Sequence, residues 1–289
     1  MKFYILARRC TQLAVLAGFC LLPWINEAGL RQIRGSLFSL DFFGLPFADP
    51  VAASQVAAEG ALSVGPLLWG AVCSLVLALI LGRVFCSWVC PYGFLSELVH
   101  GWAARIASRS AGMKHKSTSK HRGKVFAAKV FVLLAGLLLV VVLEFPVLNV
   151  LGMPGELSLV PVLAWQGAGA LVLLLALVLP VAALVLEVAS GRRLWCSYVC
   201  PQSVLLGAAA RCLPARAPGL RIVWKDSQCD CRGEIPCRAA CSLQLNPRRA
   251  DGPDRRDCTA CGDCLRACES RGGALQWNVF RQQAENKEE

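Results

Sequence analysis

Four long apolar runs restrict this chain more than any other feature, because about 20 consecutive apolar residues are what a helix needs to cross the hydrocarbon core of a bilayer. They fall at about 7–25, 66–85, 125–145 and 167–188, the third and fourth being almost pure Leu, Val and Ala. The 289 residues are 56% hydrophobic and 17% charged, and the mean hydropathy is +0.52, outside the range of soluble domains. The first run follows Arg8 and Arg9, as a signal peptide would. Asn26-Glu27-Ala28 makes a poor small-residue cleavage site, so the run is expected to remain as a span. Residues 1–213 are therefore expected to form an all-α transmembrane domain of four helices, and residues 214–289 a small soluble tail.

Charge sets the expected orientation. The stretch from Arg83 to Lys124 holds eight Lys or Arg and one acid, Glu97, whereas Asn26 to Gly65 holds two bases against four acids, and Phe145 to Gln166 holds no base. Basic short loops stay in the cytoplasm, which puts both termini and the central loop on that side of a bacterial inner membrane. The net charge of +11 belongs to these loops and not to a basic patch on a soluble fold, so no nucleic acid partner is expected.

A repeat lies inside this pattern. Arg83-Val-Phe-Cys86-Ser-Trp-Val-Cys90-Pro91 and Arg193-Leu-Trp-Cys196-Ser-Tyr-Val-Cys200-Pro201 are one unit used twice, each after a run predicted to travel from outside to inside. The halves then form parallel repeats about an axis along the membrane normal, and both CxxxCP motifs meet near the cytoplasmic interface. Within each motif the two thiols are spaced to share a helix face. Such pairs can bind metal, cycle between dithiol and disulfide, or shape a quinone pocket. Cys86, Cys90, Cys196 and Cys200 are candidate redox or quinone-linked residues, while Cys10, Cys20, Cys73 and Cys212 lack partner spacing and read as packing residues. After the first motif, Phe94, Leu95, Leu98, Val99, Trp102 and Ile106 recur at helical spacing, which predicts an amphipathic helix along the headgroups. Glu97 and His100 on it can accept quinol protons or be solvated, and Glu144 and Glu187 read as interfacial anchors. Within the third and fourth runs Lys129 is the one Lys or Arg.

The tail carries the strongest chemical signal. Sixteen cysteines are too many for an ordinary cytosolic enzyme and too uneven for a disulfide framework, and eight fall between Cys229 and Cys268. Cys258, Cys261, Cys264 and Cys268 have the C-x2-C-x2-C-x3-C spacing of bacterial ferredoxins, which lets one short loop grip a cubane cluster. Zinc sites instead use separated CxxC pairs or His, and the tail has no His. The preceding quartet, Cys229, Cys231, Cys237 and Cys241, is irregular and reads as either a second cluster site or a degenerate one. By the two-cluster rule, the fourth cysteine of each run serves the other centre. Cys229, Cys231, Cys237 and Cys268 then hold one [4Fe-4S] cluster, and Cys258, Cys261, Cys264 and Cys241 the other. Ser242 and Glu269 stand where such runs carry proline. No nucleotide fingerprint, Ser/His/Asp set or haem CxxCH is present.

Together the Arg8-Arg9 start, Pro46-Phe-Ala-Asp49-Pro50, both CxxxCP motifs and the Cys258 run resemble the NapH/MauN-type ferredoxin family. That resemblance implies a four-span membrane protein with a paired-cluster tail of bacterial-ferredoxin type. It also implies a quinol dehydrogenase component, as in periplasmic nitrate reduction, that draws on the membrane quinone pool and passes electrons to a periplasmic or cytoplasmic iron-sulfur protein. The alternative it leaves is a maturation factor for a periplasmic redox enzyme such as a methylamine dehydrogenase.

Overall fold

The computed structural model describes residues 2–28, 33–36, 39–60, 65–107, 122–213, 219–231, 235–249, 252–269 and 271–278. The basic linker expected from Met113 onward lies almost wholly outside them. The chain opens with α1 (Lys2–Glu27). A small antiparallel sheet follows, with β1 (Ile33–Gly35), β2 (Ser39–Phe42) and β3 (Leu45–Ala48) in that order. Next come α2 (Pro50–Ala58), α3 (Gly65–Leu81), the single turn α4 (Phe85–Trp88) and α5 (Pro91–Ala107). The second half repeats this plan without the sheet, as α6 (Arg122–Leu143), α7 (Val147–Leu151), α8 (Met153–Trp165), α9 (Ala170–Ser190), a π-turn at Trp195–Val199 and α10 (Gln202–Cys212). In the tail, β4 (Arg221–Trp224) pairs antiparallel with β5 (Leu275–Asn278), and α11 (Pro236–Ala239) packs on α12 (Asp263–Glu269), which packs on β5.

Three helices, α1, α6 and α9, are long and apolar enough to cross a membrane. Their outward side chains, such as Phe131, Leu138, Leu171 and Leu174, are more than half exposed, which lipid accommodates and water would penalise. The expected second span is shorter than its apolar run. Gly82 adopts φ 79° and ends α3 at Leu81, leaving 17 residues, about 25 Å at 1.5 Å per residue against a core of about 30 Å.

The expected outer loops are also more structured than their composition suggested. α2 is started by Asp49, whose Oδ1 accepts the Val51 N–H at 2.8 Å, with Pro50 at the first helical position. Both α2 and α8 are buried at their N-terminal ends and exposed at their C-terminal ends. Leu148 of α7 packs against Leu133, Phe126 and Val130 in the first half of α6, and Met153 packs with Cys90 and Tyr92. The chain after α6 therefore turns back into the helix bundle, and the 145–166 segment is not a surface loop.

The halves interlock. α10, which follows the second motif, packs on α3 and α2 of the first half, and α5, which follows the first motif, packs on α9 and α8 of the second. This exchange brings the two motifs together. α5 is the helix expected after the first motif. Leu98 and Trp102 of its apolar stripe are 47% and 70% exposed, whereas Phe94 turns inward with Tyr92, Ser96 and Glu97; the Ile106 side chain lies outside the described residues.

Candidate functional site

Both motifs close in the same way. The Cys90 N–H donates to Phe85 O at 2.9 Å and the Cys200 N–H to Trp195 O at 3.0 Å, an i to i+5 turn of the kind found at functional breaks in helices. The two thiols of a motif thus straddle a tight turn followed by Pro91 or Pro201, and not the regular helix face expected from their spacing. In the first motif the Gly93 N–H donates to Cys90 Sγ at 3.3 Å. A Cβ at Gly93 would run into the Cys86 carbonyl, so glycine is what lets this amide approach the sulfur.

The four motif thiols share one neighbourhood. Cys196 packs against Cys90 in a buried group with Tyr92, Met153 and Ala183. Burial first, and then thiolate charge at Cys86, Cys196 and Cys200, pushes the Cys90 thiol up. Burial followed by Cys200 does the same at Cys196, with Cys86 a further contributor, and burial followed by Cys86 lifts Cys200 to about 11. Cys90 thus feels the other three, Cys196 feels Cys200 and Cys86, and Cys200 feels Cys86.

A cavity of ≈ 380 Å³ opens on Cys196, Arg83, Lys129 and Arg193, with the tail residues Ser242 to Leu245 as its far wall. Arg83 and Lys129 are 2% and 3% exposed. Arg83 donates to the carbonyls of Arg256 (3.2 Å) and Asp257 (3.5 Å) and lies 3.8 Å from Cys86 Sγ, while its Nε has no partner.

The tail is seated on the first motif. Ser87 Oγ donates to Thr259 O at 2.5 Å, Tyr4 Oη to Ala260 O at 2.7 Å, and Arg8 to Cys261 O. Tyr4 also lies edge-on to Trp88 and against Trp277. The Leu220 N–H satisfies Ile80 O at 3.1 Å, and Arg255 reaches Leu79 O and Ile80 O, so tail groups cap the end of α3.

Within the tail, Cys258, Cys261, Cys264 and Cys241 come together. Burial lifts Cys258 to about 11, with Cys241 a further cause; it also raises Cys261, where Asp263, Cys241 and Cys258 contribute, and Cys264, where Cys261, Cys258 and Cys241 contribute. Backbone N–H groups of Ala260 and Leu245 point at Cys258 Sγ and Cys241 Sγ at 3.4 and 3.3 Å. Cys237 and Cys268 share the tail core, and the Leu275 N–H points at Cys268 Sγ at 3.4 Å. Cys229 lies at the edge of that core, where Arg248 donates to Cys229 Sγ at 2.6 Å and to Cys231 O at 3.2 Å. Amide and guanidinium donors aimed at sulfur hold thiolates and tune iron-sulfur potentials. Crowded buried thiols resist deprotonation until a metal takes the proton's place, so these residues fit such a group. Among the described residues no three Cys, His, Asp or Glu side chains lie close enough to grip a single ion.

Sequence reasoning missed the ion network between the halves. Glu97 is buried and meets Arg8 at 2.7 Å, Arg9 at 3.1 Å and Arg193 at 3.4 Å, and Gln12 ties it to Ser87 O. It is not a solvated interfacial acid. Glu187 is likewise no surface anchor: at 1% exposure it accepts from Ser96 Oγ at 2.6 Å and the Trp195 N–H at 3.1 Å, with His100 Nε2 at 3.7 Å. The signal that could have found Glu97 was an acid seven residues beyond Cys90 where the second half has Gly207; Glu187, which precedes its motif, carried no such signal.

Residues 64–110 and 170–221 each match the 4Fe-4S binding domain family, and each match contains one CxxxCP motif. The chain is 29% identical to the ferredoxin-type protein NapH of Escherichia coli, over 92% of this chain and 86% of that one. It is 29% identical to the methylamine utilization ferredoxin-type protein MauN of Paracoccus denitrificans, over 71% and 66%. To MauN of Methylorubrum extorquens it is 25% identical over 90% and 73%. No solved structure matches. Over most of its length, this chain with its membrane-length helices is a homologue of the NapH and MauN ferredoxin-type proteins and carries their iron-sulfur character.

Proposed function

We propose that this protein is an electron-transfer subunit of the bacterial inner membrane that oxidises quinol and relays electrons through [4Fe-4S] clusters to a partner iron-sulfur protein. Cys258, Cys261, Cys264 and Cys241 would hold one tail cluster, and Cys229, Cys231, Cys237 and Cys268 the other. Quinol gives up two electrons and two protons, whereas a cubane accepts one electron, so the relay needs acceptors in series. The observation that carries this reading is the seating of the Cys258 loop on the first CxxxCP motif through Ser87, Tyr4 and Arg8. A soluble-type cluster loop has no reason to be pinned there unless electrons pass between it and the membrane. His100 beside buried Glu187 is better disposed than Glu97 to take quinol protons, because Glu97 is already held by three arginines.

The test is anaerobic protein in lipid nanodiscs, titrated with reduced quinol and followed by electron paramagnetic resonance. Appearance of the reduced-cubane signal is expected. Clusters that dithionite reduces and quinol does not would overturn quinol oxidation and favour the alternative of a maturation factor for a periplasmic redox enzyme.

A further inference from the structure

Lys129 is the one Lys or Arg in the membrane-length segment Val125–Leu143 of α6. It is 3% exposed, and among the described residues its side chain makes no hydrogen bond and no ion pair. Charged side chains at membrane depth are costly and ordinarily mark a ligand path or a specific partner. Asp257 is the one acid that lines the same cavity, and its charge acts on both Lys129 and Arg83. Its carboxylate lies 3.5 Å from Arg256 Nη2 and leaves the hydrogens of Lys129 without an acceptor. The other lining cations are engaged or wet: Arg83 donates to two tail carbonyls, Arg193 pairs with Glu97, and Arg192 is only partly buried. The cavity therefore offers a ligand one buried, unspent donor.

A phosphate is ordinarily gripped by several donors at once, arginine forks foremost, so a single free ammonium suits it poorly. The rest of the lining is largely apolar, from Val125 and Ala128 of α6, Tyr198 of the π-turn, and Leu243 and Leu245 of the tail. Its ≈ 380 Å³ lies at the lower end of the range of about 300–1,000 Å³ for small-molecule sites, which are mostly apolar with a few polar anchors. Ala128 and Tyr198 are exposed on the outside of the bundle, so an apolar ligand can enter sideways from the bilayer. A flat ring with an oxygen at its edge and a hydrocarbon tail meets all of these demands. Position adds to lining: Cys196 of the second motif is on one wall, and the facing wall begins at Ser242, next in sequence to Cys241. A ligand between them lies against both cysteine systems, as suits a two-electron donor serving one-electron acceptors.

We propose that this cavity binds the ring of the membrane quinol, with Lys129 donating a hydrogen bond to one ring oxygen and the apolar walls holding the ring faces. Resting on the quinol-oxidising reading, this gives that reaction its binding site. Asp257 adds a preference between redox forms. A quinol hydroxyl gives its carboxylate a hydrogen to accept, whereas the bare oxygen of a quinone does not, so the reduced form is held more tightly. Because Ser242 to Leu245 supply the far wall, docking of the tail completes the pocket. Binding itself makes and breaks no covalent bond.

The experiment photolabels anaerobic full-length protein in lipid nanodiscs with azido-ubiquinone and azido-menaquinone analogues bearing one isoprenoid unit, and maps the label by peptide mass spectrometry. Label is expected within Val125–Lys129, Ser197–Tyr198 or Ser242–Leu245. The matching quinol should displace it at lower concentration than the quinone, and added phosphatidylglycerol should not displace it. Lys129→Met should weaken binding about tenfold or more, and Ala128→Trp, which obstructs the lipid-side entrance, should abolish labelling, both with the iron content of the wild type. Label elsewhere on the chain, displacement by phosphatidylglycerol, or labelling that neither variant changes would overturn the proposal. If Lys129→Met does not accumulate, Ala128→Trp decides, because its new side chain projects from a position already exposed. Label that misses the cavity while quinol still reduces the clusters overturns the site alone. Label in the cavity of a protein whose clusters quinol does not reduce supports the site and overturns quinol oxidation.

Discussion

The two halves place the same arginine in different company. Arg193 of the second half reaches across to Glu97, seven residues beyond Cys90 in the first half. Arg83 of the first half looks toward Gly207, seven residues beyond Cys200, where there is no side chain at all. The space left by that glycine is filled by the tail: a Cβ on Gly207 would stand 2.6 Å from Arg256 O, the carbonyl that accepts from Arg83. One half therefore uses its arginine to lock the repeats together, and the other uses its arginine to dock the tail and face the thiols. A duplicated unit has been specialised by a single acid-to-glycine difference.

Removing the lock should have the largest effect. Glu97→Ala leaves Arg193 buried without a carboxylate and Arg8 with only the more distant Asp263 at 3.8 Å, and should destabilise the protein by about 3–5 kcal/mol, read as a lower thermal unfolding midpoint in detergent. Glu97→Leu with Arg193→Leu should recover much of that loss, and failure to recover it would show that the pair does more than join the halves. On the docking side, Gly207→Ala should cost about 1–3 kcal/mol through overpacking against Arg256 and should make the tail more susceptible to protease. The control Gly101→Ala, whose Cβ meets nothing within 4 Å, should stabilise α5 by about 0.5–1 kcal/mol. If both alanines behaved alike, the close approach at Gly207 would not be what seats the tail. Tyr4→Phe removes the bond to Ala260 O and should cost about 1 kcal/mol, seen as faster amide exchange in the 258–264 loop. The smallest change is expected for Arg211→Ala. Its pair with Asp254 joins α10 to the tail, but the side chain is 62% exposed, so the loss should stay within about 1 kcal/mol.

The apolar runs, both motifs and the Cys258 spacing were legible because each is a local pattern whose meaning does not depend on its neighbours. The inward face of α5 was not. Its spacing marked Leu98 and Trp102 as one apolar face, but that Phe94 turns inward with Ser96 and Glu97 depends on α8 and α9, which pack against α5. α8 was read as a loop, since 13 residues cannot span a bilayer, yet a half-helix can enter the bundle where protein satisfies its end. Glu187 was read as an anchor because nothing in the sequence announces that Ser96 and the Trp195 amide converge on it.

The chain's own order of residues carries membrane-length apolar runs, a duplicated thiol motif and a tail whose second cysteine run has the spacing of a cubane ligand set, because hydrophobic length and ligand spacing act over a few turns of chain. Which thiols face one another, which arginine finds a carboxylate and where the tail sits were decided only when α5 and α10 crossed to the opposite halves. Those pairings join residues more than a hundred positions apart, and burial, which makes an ion pair or a cluster site strong, is a property of the assembled bundle alone.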